Sequence, residues 1–179
     1  MKLLVSLLGL CGATAYAGSA RADVSSWAYV GSGASALEQH GLKLKVDPTL
    51  AIETGIGTAP SHPIVVGGMV KFLTLFGSGT DLNVSLRVAT QGFVTGKFGL
   101  ALDAGPYRRF WGEGSTGGQA ALVLGAPWGL TLSLGGGVGS NGAHQVGASL
   151  GVDFARLTVY RLSGLDWFPN PHPAYRPKE

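Results

Sequence analysis

Cysteine is almost missing. The chain's single cysteine, Cys11, lies in an apolar N-terminal stretch, so no disulfide framework is available. Long apolar runs are missing as well. After the N-terminal stretch no segment reaches the roughly 18–20 apolar residues that a membrane helix needs. Charge is scarce, at 13% of 179 residues, while 45% are hydrophobic. An oily chain without an oily helix must place its apolar residues on alternating positions. Glycine, at 30 residues, is a poor occupant of helix interiors. Both facts favour β structure in a single domain.

The N-terminus is expected to be a secretory leader, residues 1–22. Lys2 gives the positive start, Leu3 to Leu10 the short apolar core, and Ala20–Ala22 an Ala-x-Ala cleavage pattern. A lipoprotein reading of Cys11 is disfavoured by the bulky Leu10 before it. Lys2 and Arg21 leave with the leader, so the 13 Lys and Arg fall to 11 against 10 Asp and Glu. That balance, with no basic patch, excludes nucleic acid as the expected partner.

The clearest pattern runs from Asp81 to Phe93. Leu82, Val84, Leu86 and Val88 alternate with Asp81, Asn83, Ser85, Arg87 and Gln91. Strand side chains point alternately to opposite faces, so one face is aliphatic and the other polar. The same beat predicts eight strands: 25–36, 43–57, 63–76, 81–93, 97–105, 119–126, 130–138 and 145–160. Pro48 should fall at a bulge or where no ladder donor is needed. Tight turns are expected at Thr95-Gly96 and Pro127-Trp128-Gly129, and a bulge near Ala155 to Leu157. Residues 106–118 read as one long loop, and 162–179 as an extended Pro-rich tail.

Eight antiparallel strands with short turns make an up-and-down sheet, and closure removes its two unpaired edges. A soluble lipocalin-like barrel keeps its oily face inside; a membrane barrel reverses this. The polar face here carries mostly small residues, and its few charges are balanced: Lys45, Lys71 and Arg87 against Asp47, Glu53, Asp103 and Asp153. Small side chains and balanced charge suit a crowded lumen. No charge interrupts the opposite face from Leu44 to Ile56 or from Leu82 to Gly92. The expectation is an all-β fold, an eight-stranded antiparallel up-and-down transmembrane β-barrel over 23–161.

In this pattern the chain resembles the small eight-stranded outer-membrane barrels of the OmpA/OmpX type. The resemblance covers the chain from 23 to Tyr160 and rests on alternation, not on a motif. It implies termini in the periplasm, longer loops outside, and a last strand closed by an aromatic residue, for which Tyr160 could serve. The cell outer membrane is the expected location. Outer-membrane lipids, lipopolysaccharide and the outer-membrane assembly machinery are the expected partners, and the chain is expected to be a monomer.

Individual motifs favour plain readings. Gly137 to Gly142 matches G-x-G-x-x-G, but no helix is predicted after it, so it reads as a turn. His40, His62, His144 and His172 are dispersed, which predicts no metal site. Neither a cofactor nor a catalytic group is expected. Tyr107-Arg108-Arg109-Phe110-Trp111 mixes bases with aromatics and is the candidate contact surface for lipopolysaccharide phosphates. Its plainer reading is an interfacial aromatic belt with solvated charge. The expected role is structural or surface-interacting. A narrow pore, a lipid-modifying enzyme and a soluble periplasmic barrel remain as alternatives.

Overall fold

The computed structural model describes residues 24–39, 43–60, 62–112 and 114–158. The expected leader, the Pro-rich tail and Tyr160 lie outside the described residues. Eight antiparallel strands close into a barrel in chain order, with the last paired to the first. They are β1 (Ser25–Glu38), β2 (Lys45–Gly57), β3 (Ile64–Leu75), β4 (Gly79–Thr90), β5 (Gly99–Phe110), β6 (Thr116–Gly125), β7 (Leu130–Gly139) and β8 (Ala143–Asp153). The end where β1 begins and β8 ends is called the base, and the opposite end the mouth.

The register fixes the shape. From Tyr29 the cross-strand partners run through Glu53, Lys71, Asn83, Tyr107, Gly117, Gly139 and Ala143. Ala143 lies one step beyond His144, the partner of Glu38, so the circuit returns to β1 at Gln39, ten residues past its start. A stagger of that size over eight strands tilts them by on the order of 40° from the barrel axis and leaves a bore that side chains can fill.

The pleat sorts the residues as the alternation predicts. Val46, Ile52, Ile56, Phe72, Val84, Leu86, Leu102 and Leu150 are exposed on the outer wall. Asp47, Glu53, Lys71, Asp81, Arg87 and Asp103 are buried. Pro48 causes no bulge, because the β1–β2 register runs straight through it. It stands just past the last β2–β3 pair, Thr49 with Leu75, and its carbonyl accepts from Phe76 N at 3.0 Å.

Three expectations need correction. β4 stops at Thr90 instead of reaching Phe93, and Gln91–Val94 form one helical turn, α1. Thr90 Oγ1 caps it by accepting from Phe93 N at 3.3 Å. Phe93 and Val94 are adjacent apolar residues, so a strand would have to turn one of them to the wrong face. The helical turn instead buries both, in a cluster with Trp27, Val65, Ala89, Ala101 and Val123. This cluster closes the base.

β8 likewise ends at Asp153, and Phe154–Thr158 form α2. Asp153 Oδ1 accepts from Arg156 N at 3.2 Å, three residues on, as a helix N-cap does. The break in alternation near Ala155 to Leu157 is therefore a helix start and not a bulge.

The long loop expected at 106–118 is mostly sheet. β5 continues to Phe110 and β6 begins at Thr116, so only 111–115 connect them. Pro106 misled the reading, since it looks like a strand breaker. The β4–β5 register runs unshifted past it, from Asn83 with Tyr107 to Leu86 with Ala104. There Asn83 Nδ2 donates to Pro106 O at 2.8 Å, which satisfies that carbonyl from a side chain.

Candidate functional site in the lumen

The inner wall is asymmetric. β2 to β5 send long charged and aromatic side chains inward. β1 adds the buried rings of Trp27 and Tyr29, while β7 and β8 face them with small residues, among them Gly135, Gly147, Ser133 and Ser149. The long side chains cross the bore and lie against this small-residue wall. Gly139 shows the constraint: a Cβ there would stand 2.2 Å from Tyr107 Oη, which is hydrogen-bonded at 3.1 Å to Ser115 Oγ.

At mid-height four charges meet. Glu53 lies 2.9 Å from Lys71 Nζ and 3.0 Å from Arg87 Nη2. Arg87 also makes a bidentate pair with Asp103, both contacts 2.7 Å. Its guanidinium stacks over Trp27 at 5.3 Å and Phe93 at 5.4 Å, so the ion cluster sits directly on the apolar closure of the base. Glu53 with Lys71, and Arg87 with Asp103, are direct cross-strand neighbours. Opposite charges in that position stabilise a sheet. All four are almost fully buried. Breaking such a network leaves an uncompensated charge away from water.

The mouth has its own crossbar. Arg109 pairs with its cross-strand neighbour Asp81 at 2.6 and 2.8 Å and reaches Gln145 Oε1 on β8. Lys45 and Asp47 pair at 3.1 Å, with the lysine half-exposed, and Ser78 Oγ donates to Asp47. At the base, Asp153 accepts from the N–H groups of Ala28 and Arg156. Burial pushes the Arg156 guanidinium down to about 10, which still leaves it charged at neutral pH.

The residues predicted as one charge network therefore divide. Glu53, Lys71, Arg87 and Asp103 come together; Lys45 with Asp47 form a separate pair at the mouth; Asp153 serves the base. Three members were missed. Asp81 was on the polar face but lacked a visible partner. Arg109 was hidden by the loop reading of 106–118, and Arg156 by the strand reading of 145–160. The alternation Tyr107, Arg108, Arg109, Phe110 was the signal available for Arg109.

The predicted surface-contact set also splits, because its first four residues are strand. Tyr107 and Arg109 point into the lumen and are buried, so they cannot meet a ligand outside. Arg108 and Phe110 face outward, with the guanidinium 5.4 Å from the ring, and Trp111 is exposed at the mouth. His144 is exposed on the outer wall opposite Glu38. Gly137 to Gly142 are the end of β7 and its turn into β8, with Asn141 and Gly142 at φ 61° and 65°.

A cavity of about 260 Å³ opens at the mouth beside Leu37, Gln39 and Lys45, and two smaller ones lie in the middle of the bore. One of about 40 Å³ is bounded by Lys71, Gln119, Gln145 and Ser149, and one of about 10 Å³ lies against Lys71, Asn83 and Asp103. These hold at most a few waters, each needing roughly 10–15 Å³. Among the described residues no three of His, Cys, Asp and Glu are grouped to hold a metal ion.

On the outside, aromatic side chains gather at both ends. Phe98, Trp128 and Phe154 are exposed at the base, and Phe76, Phe110 and Trp111 at the mouth. No family model, no curated protein and no solved structure matches the chain.

Proposed function

We propose that the chain is an outer-membrane β-barrel with a structural or surface-interaction role, its bore closed by side chains. One observation carries the reading: charge lies inside the closed sheet and oil outside, with aromatic residues ringing both ends of the oily wall. Along β5, Phe98 and Phe110 are separated by twelve residues. At about 3.3 Å per residue and a tilt near 40° that spacing is roughly 30 Å in height, comparable to the ~25 Å apolar band of outer-membrane barrels. A charge on the outer wall at mid-height would cost about 2–4 kcal/mol in lipid. Glu38, Arg108 and His144 lie instead toward the mouth.

The chain enters and leaves at the base, so the base is assigned to the periplasm. Arg108, Phe110 and Trp111 then face the outer leaflet, where lipopolysaccharide phosphates are the contact, and the assembly machinery is the partner during insertion. The ion pairs of the lumen are read as scaffold: each carboxylate of the mid-height cluster is engaged by a cation, and the two cavities beside that cluster are too small for an organic substrate.

Membrane fractionation followed by a heat-modifiability gel tests the class. The protein is expected in the outer-membrane fraction, migrating faster unheated than boiled. Recovery as a soluble periplasmic protein would overturn the reading. In planar bilayers the purified barrel should show little steady conductance; reproducible open channels would replace the structural role with a narrow pore.

A further inference from the structure

Near the base, the outer wall from β5 to β8 carries an apolar groove of about 640 Å³, within the range of small-ligand sites, roughly 300–1,000 Å³. Phe98 stands on one side and Leu130, Leu132 and Leu150 on the other, while Leu124 of β6 and Ala126 just after it lie between them. The groove is a built feature. From inside the barrel, Arg156 on α2 donates to Lys97 O at 3.2 Å, Ala126 O at 2.9 Å and Leu130 O at 3.2 Å. One guanidinium thus ties together the start of β5, the end of β6 and the start of β7. Gly125 gives it room, since a Cβ there would stand 2.7 Å from both terminal nitrogens.

We infer that this groove seats an acyl chain of a phospholipid whose phosphate lies at Lys97; the inference rests on the membrane reading above. Three observations select this occupant. The groove opens on the oily outer wall, beside the aromatic residues Phe98 and Trp128 of the base. Lys97 immediately precedes Phe98, and its carbonyl shares one Arg156 nitrogen with that of Ala126, which holds the Lys97 backbone beside the groove. Among the described residues Lys97 is also the exposed charge at the base, and an exposed cation complements a phosphate. α2 packs on the β6–β7 turn, so its last described residues stand near the groove. An unpaired peptide laid in hydrocarbon leaves its backbone groups unsatisfied, at several kcal/mol each. A second convex barrel would not fill a concave groove. An acyl chain meets neither difficulty.

The test uses the full protein extracted from membranes in mild detergent, with native mass spectrometry as readout. The probes are phosphatidylglycerol and a diacylglycerol with the same chains. The wild type should retain one phosphatidylglycerol, and about fivefold less diacylglycerol, as loss of one cation–phosphate contact implies. Lys97→Gln should lower phosphatidylglycerol retention about fivefold, and Ala126→Phe, which fills the groove, by at least as much. Both variants should keep the heat-modifiable gel shift. Equal retention by all three proteins, or equal retention of both lipids, would overturn the proposal. So would cross-linking of Ala126→Cys to residues beyond 158 or to a second copy. A protein that never reaches the membrane fraction fails the membrane reading first, and the fractionation shows it.

Discussion

Arg87 is the residue on which most of the interior depends. It pairs with Asp103 and Glu53 and lies over Trp27 and Phe93. It therefore joins the ionic middle of the bore to the apolar base. Arg87→Ala leaves two buried carboxylates with one nearby cation, Lys71, which contacts only Glu53. The expected loss is about 3–5 kcal/mol, read as a lower unfolding midpoint in urea with the folded gel band as reporter. An unchanged midpoint would show that the cluster is dispensable. The sequence places Arg87, Glu53, Lys71 and Asp103 on the inner face without difficulty. It does not pair them, because pairing depends on the register between strands, which alternation within one strand does not fix.

At the scale of elements, the two short helices decide how the barrel ends. α1 turns Phe93 and Val94 into the base, and α2 presents Arg156 to three strand ends. Phe93 is fully buried and lies beneath two guanidinium groups, Arg87 at 5.4 Å and Arg156 at 4.7 Å. Phe93→Ala should cost about 3–5 kcal/mol and should admit water to the base. Hydrogen exchange of the α1 amides is the direct measure. Protection equal to the wild type would mean that α1 is held by its cap alone. Both helices were legible only as interruptions: Phe93-Val94 and Ala155-Arg156-Leu157 break the two-residue beat. A broken beat tells that a strand has ended. It does not tell whether a bulge, a turn or a helix follows, since four or five residues have no helical period of their own.

For the molecule as a whole, orientation is the property that the proposed role needs most. The β5–β6 connection, 111–115, carries exposed Trp111 at the mouth. A short epitope inserted at Gly114 should be reached by antibody on intact cells. Reaction only after the outer membrane is broken would put the mouth on the periplasmic side, and with it Arg108 and Phe110. The segment is shorter than the alternation suggested, so the contact surface reduces to Arg108, Phe110 and Trp111. Tyr107 and Arg109 belong to the lumen.

By itself the sequence determined the number of strands, their approximate limits and which face of each is oily. These are local properties: a period of two is visible within five or six residues, and Gly, Pro and Asn mark the turns. It also determined that the inner face would carry balanced charge. Only the tertiary structure decided that the sheet closes with a ten-residue stagger, that the β4–β5 register sets Asp81 beside Arg109, and that Arg87 meets Glu53 from two strands away. The physical reason is the same in each case. Alternation depends on a residue and its chain neighbours, whereas partners on other strands depend on the register between those strands, and closure on the summed register of all eight.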